Sequence, residues 1–408
     1  MLNRDRVIKS LESKKDRFRQ YGEEQIRQRR QLADQFEALR DHSADRILAA
    51  LAASEVEWPG AFPTPEMDAA DRFRLAFPER WTDHREARTW ALATLYDRPV
   101  IAVDGSQLPP TKDFSIPVGA VQIGWYINDH TEGQGGYVKD LEFEVLSPDE
   151  LEDDDDKDAG AGMGFPNWRI NQLRFVRECE KLCSLMAAYD QVPQDRKPLC
   201  FFDGSFIISF AGQLRPQRAK PYVDAVQRLL QCSQTYQVPL VGFVDSTYSR
   251  DVVNMLGVLA GQPVAAISDA RLFDPVLTGW GDRTPLFLCA RADALSQPRG
   301  GEQRSGNVEF YREVAFTYVR LTSDRPPSRV EMPRWILDAG LAESVLDRVR
   351  AESVVGNGYP YAIETADAVA VITAQDRERF YAIFQQFAQR EGMPLSIARK
   401  AVSKIQRR

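Results

Sequence analysis

Val100-Ile101-Ala102-Val103-Asp104-Gly105-Ser106 is the stretch on which the reading of the fold turns. Four apolar residues, three of them β-branched, read as a buried strand. The run stops on a carboxylate, and the following Gly105 lets the chain turn sharply. The same ending recurs in Cys200-Phe201-Phe202-Asp203-Gly204-Ser205 and, without the glycine, in Val241-Gly242-Phe243-Val244-Asp245-Ser246-Thr247. In open α/β sheets ligand sites form at the carboxyl ends of strands, so three acidic strand ends can converge on one place. Asp-Gly is also a common turn dipeptide, so any one instance says little. The repetition carries the weight.

Outward from these strands, Val118 to Ile127 reads as the second arm of a hairpin-like meander, and Leu199 to Phe202, Pro239 to Val244 and Ala265 to Ile267 as further strands. Helical patterns fill residues 168–190, 218–236, 249–260, 340–353 and 374–391. The alternation implies an α/β fold, a mixed central sheet flanked by helices. Residues 3–52, without proline and with apolar residues at Leu11, Phe18, Leu32 and Leu39, predict one long helix or a helical hairpin. That extension suits a dimerising coiled coil and a helix packed on its own domain equally well. Trp58-Pro59-Gly60-Ala61-Phe62-Pro63-Thr64-Pro65 reads as a linker. The expected organisation is a helical segment at 1–58, a linker and helix at 59–97, a catalytic domain at 98–395 with an acidic loop at 147–160, and a basic tail at 396–408.

Composition excludes several classes. The 408 residues, 43% of them hydrophobic, suffice for a sizeable core. Apolar runs such as Val118 to Ile123 and Ala368 to Ile372 fall far short of the ~20 residues that span a bilayer. The charged start Met1-Leu2-Asn3-Arg4-Asp5-Arg6 has no secretory pattern, so a cytoplasmic location without membrane attachment is expected. The five cysteines include no CxxC pair, which argues against a disulfide framework and a structural zinc. A net charge of −7 argues against indiscriminate coating of nucleic acid, although a local path can still be basic.

Converging carboxylates repel one another unless a divalent cation neutralises them. Hard oxygen donors favour Mg²⁺ or Mn²⁺, and two such ions can clamp the attacking and leaving oxygens of a phosphodiester. The helical pattern around Arg174 to Cys183 offers a fourth carboxylate, Glu178 or Glu180, on opposite flanks of its apolar face. Ser246, Tyr248, Ser249, Arg250, Arg271, Arg283 and Arg291 are candidate phosphate contacts, with Ser246, Ser249, Arg250 and Arg271 the preferred set for DNA binding.

The order of motifs resembles the NurA family of DNA end-processing nucleases. It runs Val103-Asp104-Gly105-Ser106, Arg174 to Glu178, Phe202-Asp203-Gly204-Ser205, Gly242 to Ser249, then Gly358-Tyr359-Pro360-Tyr361-Ala362-Ile363-Glu364-Thr365-Ala366-Asp367. The resemblance implies a ribonuclease-H-like fold. It implies Asp104, Glu178 and Asp203 as catalytic metal ligands, with Asp245 and Asp367 as further candidates. It also implies a Mn²⁺- or Mg²⁺-dependent DNA nuclease of 5′-to-3′ exonuclease and single-strand endonuclease type. Such enzymes act as homodimers with a HerA-type hexameric ATPase translocase in double-strand-break end resection. Two positions depart from the family pattern: many members carry Lys where Asp245 stands and His near the place of Asp367.

Two rival functions stay open. A phosphatase with a nucleophilic Asp wants a second Asp two residues on, where this chain has Ser106. A non-catalytic adaptor would keep the fold to bind DNA or a translocase.

Overall fold

The strands run, in chain order, β1 Gly60–Pro63, β2 Val100–Leu108, β3 Gly119–Asn128, β4 Tyr137–Leu146, β5 Leu199–Asp203, β6 Leu240–Val244, β7 Phe287–Ala290, β8 Val314–Val319 and β9 Ser328–Pro333. The longer helices are α1 Arg4–Glu12, α2 Lys15–Ala38, α3 Ala44–Ala53, α4 His84–Leu95, α5 Asn167–Ala187, α6 Pro216–Tyr236, α7 Asp251–Ala260, α8 Ala342–Val355, α9 Tyr361–Ala370 and α10 Ala374–Arg390. This computed structural model describes residues 2–39, 42–132, 136–152, 167–262, 266–296 and 308–396. Residues 153–160 of the expected acidic loop and 397–408 of the basic tail lie outside the described residues. Two units form: Met1–Arg80 with Phe243–Asp338, and Trp81–Gly242 with Ala339–Arg408. Both are α/β. Among the described residues no helix is long and apolar enough to cross a membrane.

In the second unit, β2, β3 and β4 form an antiparallel meander, and β5 lies parallel to β2 on its other side. The strand order β4-β3-β2-β5-β6 is the ribonuclease-H-like arrangement implied by the sequence. Val100 to Val103 and Leu199 to Phe202 are almost wholly buried, as expected for parallel strands covered on both faces. The predicted helices at 168–190, 218–236, 340–353 and 374–391 are present as α5, α6, α8 and α10. Strand β4 was not foreseen. It pairs with β3 along its whole length, and Tyr137, Val138, Leu141, Phe143 and Val145 remain exposed.

Strand β2 does not end at Asp104 but runs on to Leu108, paired throughout with β3. The parallel ladder with β5 stops at Val103↔Phe202, so beyond that point β2 continues where β5 does not. Gly105 is therefore a strand residue, whereas Gly204, at φ 142°, makes the turn its dipeptide suggests. Opposite Asp104 stands Gly124, where a Cβ would lie 2.6 Å from the backbone nitrogen of Ala370. The missing side chain lets α9 lie directly on β2 and β3.

In the first unit the order is β1-β7-β8-β9, antiparallel throughout. The segment read as a linker supplies β1. Gly60, at φ 105°, approaches α7 so closely that a Cβ would sit 2.2 Å from Asp251 O. The N-terminal extension is three helices rather than one long helix or a hairpin, with α3 started by the Ser43 side chain accepting from Arg46 N at 3.3 Å. α1 buries nothing, while Leu32 and Phe36 of α2 are buried, with the Phe36 ring 4.1 Å from that of Phe73. Of the strand expected at 265–267, residues 266 and 267 are not in a strand, and Ala265 lies outside the described residues.

Candidate active site

Register brings the first two carboxylates together. Val103 is paired with Phe202, so the next residues, Asp104 on β2 and Asp203 at the end of β5, leave the same edge of adjacent strands. Helix α5 crosses β2 above Gly105, where a Cβ would stand 2.5 Å from Glu178 Oε1 and 2.9 Å from the Arg174 side chain. Gly105 is needed for this close approach. Glu178, only 6% exposed, thereby joins the cluster. Helix α9 brings Asp367 within hydrogen-bonding reach of Asp104. Asp104, Glu178, Asp203 and Asp367 thus belong to one site in one unit.

Glu180 takes no part. Arg177 holds it at 2.8 Å and also holds Glu144 at 2.8 and 2.9 Å on the neighbouring surface. The helix period settles the choice, because positions two apart on a helix face different directions.

Two partners in the site carried no role in the sequence analysis. Arg174, one turn before Glu178, donates from Nη1 to Gly105 O at 3.2 Å and to Glu178 Oε1. The Tyr359 hydroxyl donates to Asp203 Oδ1 at 3.0 Å. Both lie in motifs quoted above, and the Arg-x-x-x-Glu spacing was the available signal for the first.

Burial pushes the Asp104 carboxyl up to about 6, with Asp203 and Asp367 adding to the rise and the Gly105 backbone and Arg174 opposing it. Burial likewise pushes Glu178 up to about 8, against the pull of Arg174 and with the charges of Asp104 and Asp203 behind it. Asp203 is raised by burial and by Asp367, while Tyr359 and Arg174 work to lower it. These groups hold protons tightly because they are desolvated and face one another.

As placed, no three His, Cys, Asp or Glu side chains among the described residues form a ready coordination shell. Asp104 faces Asp367, Glu178 is held by Arg174, and Asp203 is held by Tyr359. The donor set nevertheless suits a hard divalent cation. All four groups are carboxylates, and a dication would relieve the burial and repulsion that raise the affinity of Asp104, Glu178 and Asp203 for protons.

The other candidate residues belong to the first unit. Asp245 faces Arg325 and Ser328 Oγ, each at 3.4 Å. Ser246, Arg250 and Arg271 are exposed, while Ser249 Oγ accepts from Thr247 Oγ1 at 2.9 Å and from Arg291 Nη2 at 2.8 Å. Arg283 and Arg291 are not offered to phosphate. Arg283 is bound to Glu66 at 2.7 and 3.0 Å and Arg291 to Asp251 at 2.7 and 2.6 Å, because each lies in a buried setting where an unpaired guanidinium would be costly.

No curated protein matches the chain. Among solved structures, a NurA crystallised with manganese is similar at 12% identity and TM-score 0.37, covering 88% of this chain and 96% of its own. The catalytic domain of human endonuclease V is similar at 12% identity and TM-score 0.31, covering 76% of this chain and 97% of its own. A second NurA structure is similar at 10% identity and TM-score 0.37, covering 71% and 88%. The NurA domain matches residues 98–372, a span that contains all four clustered carboxylates. The chain belongs to the NurA family.

Proposed function

We propose that this protein is a divalent-metal-dependent DNA nuclease. The observation that carries the reading is the cluster of Asp104, Glu178, Asp203 and Asp367 around the edge where β2 outruns β5; desolvation, with the neighbouring carboxylates behind it, raises the proton affinity of Asp104, Glu178 and Asp203. Membership of the NurA family supports it. Asp104, Asp203 and Glu178 would hold the metal, Mn²⁺ or Mg²⁺, with Asp367 as a further ligand. When bound, two such ions supply an activated water and stabilise the departing oxygen of a phosphodiester.

The residues themselves do the positioning. Asp104 is fixed by the β2–β3 ladder, and Glu178 is aimed by the close packing of α5 over Gly105. Tyr359 orients Asp203 through its hydroxyl. Burial on the β2 side keeps competing water from Glu178.

The finer reading follows the family resemblance: 5′-to-3′ exonuclease and single-strand endonuclease action, a homodimer, and work with a HerA-type hexameric translocase in end resection. Asp245 as a metal ligand and Ser246, Ser249, Arg250 and Arg271 as DNA contacts belong to the same proposal. The test is a Mn²⁺ titration on 5′-labelled single- and double-stranded DNA beside a generic phosphatase substrate. Metal-dependent cleavage of DNA alone supports the nuclease. Turnover of the phosphate monoester alone would favour the phosphatase, and neither activity with DNA binding intact would favour the adaptor.

A further inference from the structure

Arg174 is placed where a cation and a metal would contend for the same atom. Its Nη1 is divided between Gly105 O at 3.2 Å and Glu178 Oε1. Its Nε is buried with no acceptor among the described residues. The side chain is 28% exposed, so a path to solvent lies open on one side. Arg174 is also the cation whose charge acts on Asp104, Glu178 and Asp203 together.

A guanidinium N–H and a divalent cation cannot both take Glu178 Oε1 from the same side. Two cations a few ångströms apart also repel, most strongly where water is excluded. Leaving is easy for Arg174, since one of its donors is unsatisfied in the paired position and would gain water outside.

We propose that Arg174 is a built-in competitor of the metal: it occupies Glu178, the divalent ion binds only as the guanidinium withdraws, and Arg174 thereby sets how much metal the site requires. This rests on the metal-site reading. Arg174 is a positioning residue here, acting through Glu178. Its consequence has an unusual sign, because neutralising a charged residue inside the site strengthens metal binding.

The experiment is calorimetric titration of the full chain with Mn²⁺ alone, without DNA, in two buffers of different ionisation enthalpy at the same pH, so that the protons the ion displaces are counted and each Kd is corrected for them. Arg174→Met and Arg174→Gln should each lower the Kd at least about fivefold, while Arg174→Lys, which keeps the charge, should stay within about twofold of wild type. Using two neutral variants guards against one failing to fold. Asp203→Asn serves as the ligand-loss control and should bind more weakly. Equal or weaker Mn²⁺ binding by the folded neutral variants, with Asp203→Asn weakened as expected, would overturn the competition and leave the metal site standing. No Mn²⁺ binding by wild type or any variant would overturn both.

Discussion

In the first unit, Arg329 is fully buried and donates to Asp251 at 2.7 Å and to Glu331 at 2.7 Å, while Arg291 clamps Asp251 from another side. Asp269, a further carboxylate there, accepts from the backbone of Val252 and Val253 at 3.1 and 2.9 Å and from the Tyr318 hydroxyl at 3.0 Å. Burial works to raise Asp251, but Arg291 and Arg329 outweigh it and hold the carboxyl low. In the second unit, Asp104, Glu178, Asp203 and Asp367 crowd together, with Arg174 as the cation shared by the first three, which are all raised. Both regions bury charge, but they meet it differently: in the first unit Asp251 has two guanidinia, and Asp269, pushed up to about 6 by burial and by Asp251, has three hydrogen-bond donors, whereas in the second a single guanidinium serves three carboxylates. Buried ionic groups with matched partners are architecture. A surplus of one sign, kept by a fold that must bear its repulsion, points to a ligand of the other sign.

The comparison breaks most sharply at Asp251. Asp251→Ala leaves two buried guanidinia without their shared partner and should cost about 3–5 kcal/mol. Urea unfolding with and without Mn²⁺ should show the same loss, and a cost that changes with the ion would give this network a part in the site.

Asp104→Asn should act in the opposite way. DNA hydrolysis should fall by roughly two orders of magnitude or more, about 3 kcal/mol in the barrier, with DNA binding kept. Single-turnover rates within a few-fold of wild type would remove Asp104 from the metal site.

The surplus also predicts a pH dependence. Asp104 and Glu178 have folded values raised to about 6 and about 8, above their ordinary 3.8 and 4.5. Between those values the folded state holds protons that the unfolded state has released, so this stabilisation is present at low pH and lost as pH rises. In EDTA, stability should therefore decline from about pH 5 to about pH 8, with each proton so held contributing a slope of at most about 1.4 kcal/mol per pH unit. Added Mn²⁺ should reverse the decline. A denaturant series that rises over that window in EDTA would contradict the unbalanced cluster.

Asp203→Asn carries the smallest expected effect. Removing one repelling charge should leave the melting temperature in EDTA equal to or above wild type. Most of the rise that Mn²⁺ confers by binding the folded state should vanish. Clear destabilisation in EDTA with the full Mn²⁺ rise retained would assign Asp203 to the turn alone.

The sequence made Asp104 and Asp203 legible because an apolar run that stops on a carboxylate is a local pattern. The helices carrying Glu178 and following β5 were legible through their period of apolar residues. What could not be read was long-range. Gly105 resembles a turn glycine, and only the packing of α5 reveals it as a point of close approach. Gly60 to Pro63 looks like a linker because its strand partner, β7, lies more than two hundred residues away. β8 and β9 are buried at every position, yet Arg329 and Glu331 interrupt the apolar pattern that would have announced β9. Arg329 is held by Asp251, 78 residues earlier, as well as by Glu331, and such pairing across space leaves no mark in the local sequence.

The continuation of β2 past Asp104 sets two ligand candidates apart in entropic terms. Asp104 has a backbone ladder on both sides of it along the same strand, so its main chain has no freedom left to lose when an ion arrives. Asp203 closes β5 and is followed by Gly204 in a conformation open to glycine, so its main chain still has freedom to surrender. One carboxylate sits inside a paired strand, and the other at a strand end, where the Tyr359 hydroxyl holds its side chain. For a metal held as proposed, the ordering cost would fall more on the Asp203 side, and a stiffer turn at Gly204 should tighten binding without touching a ligand.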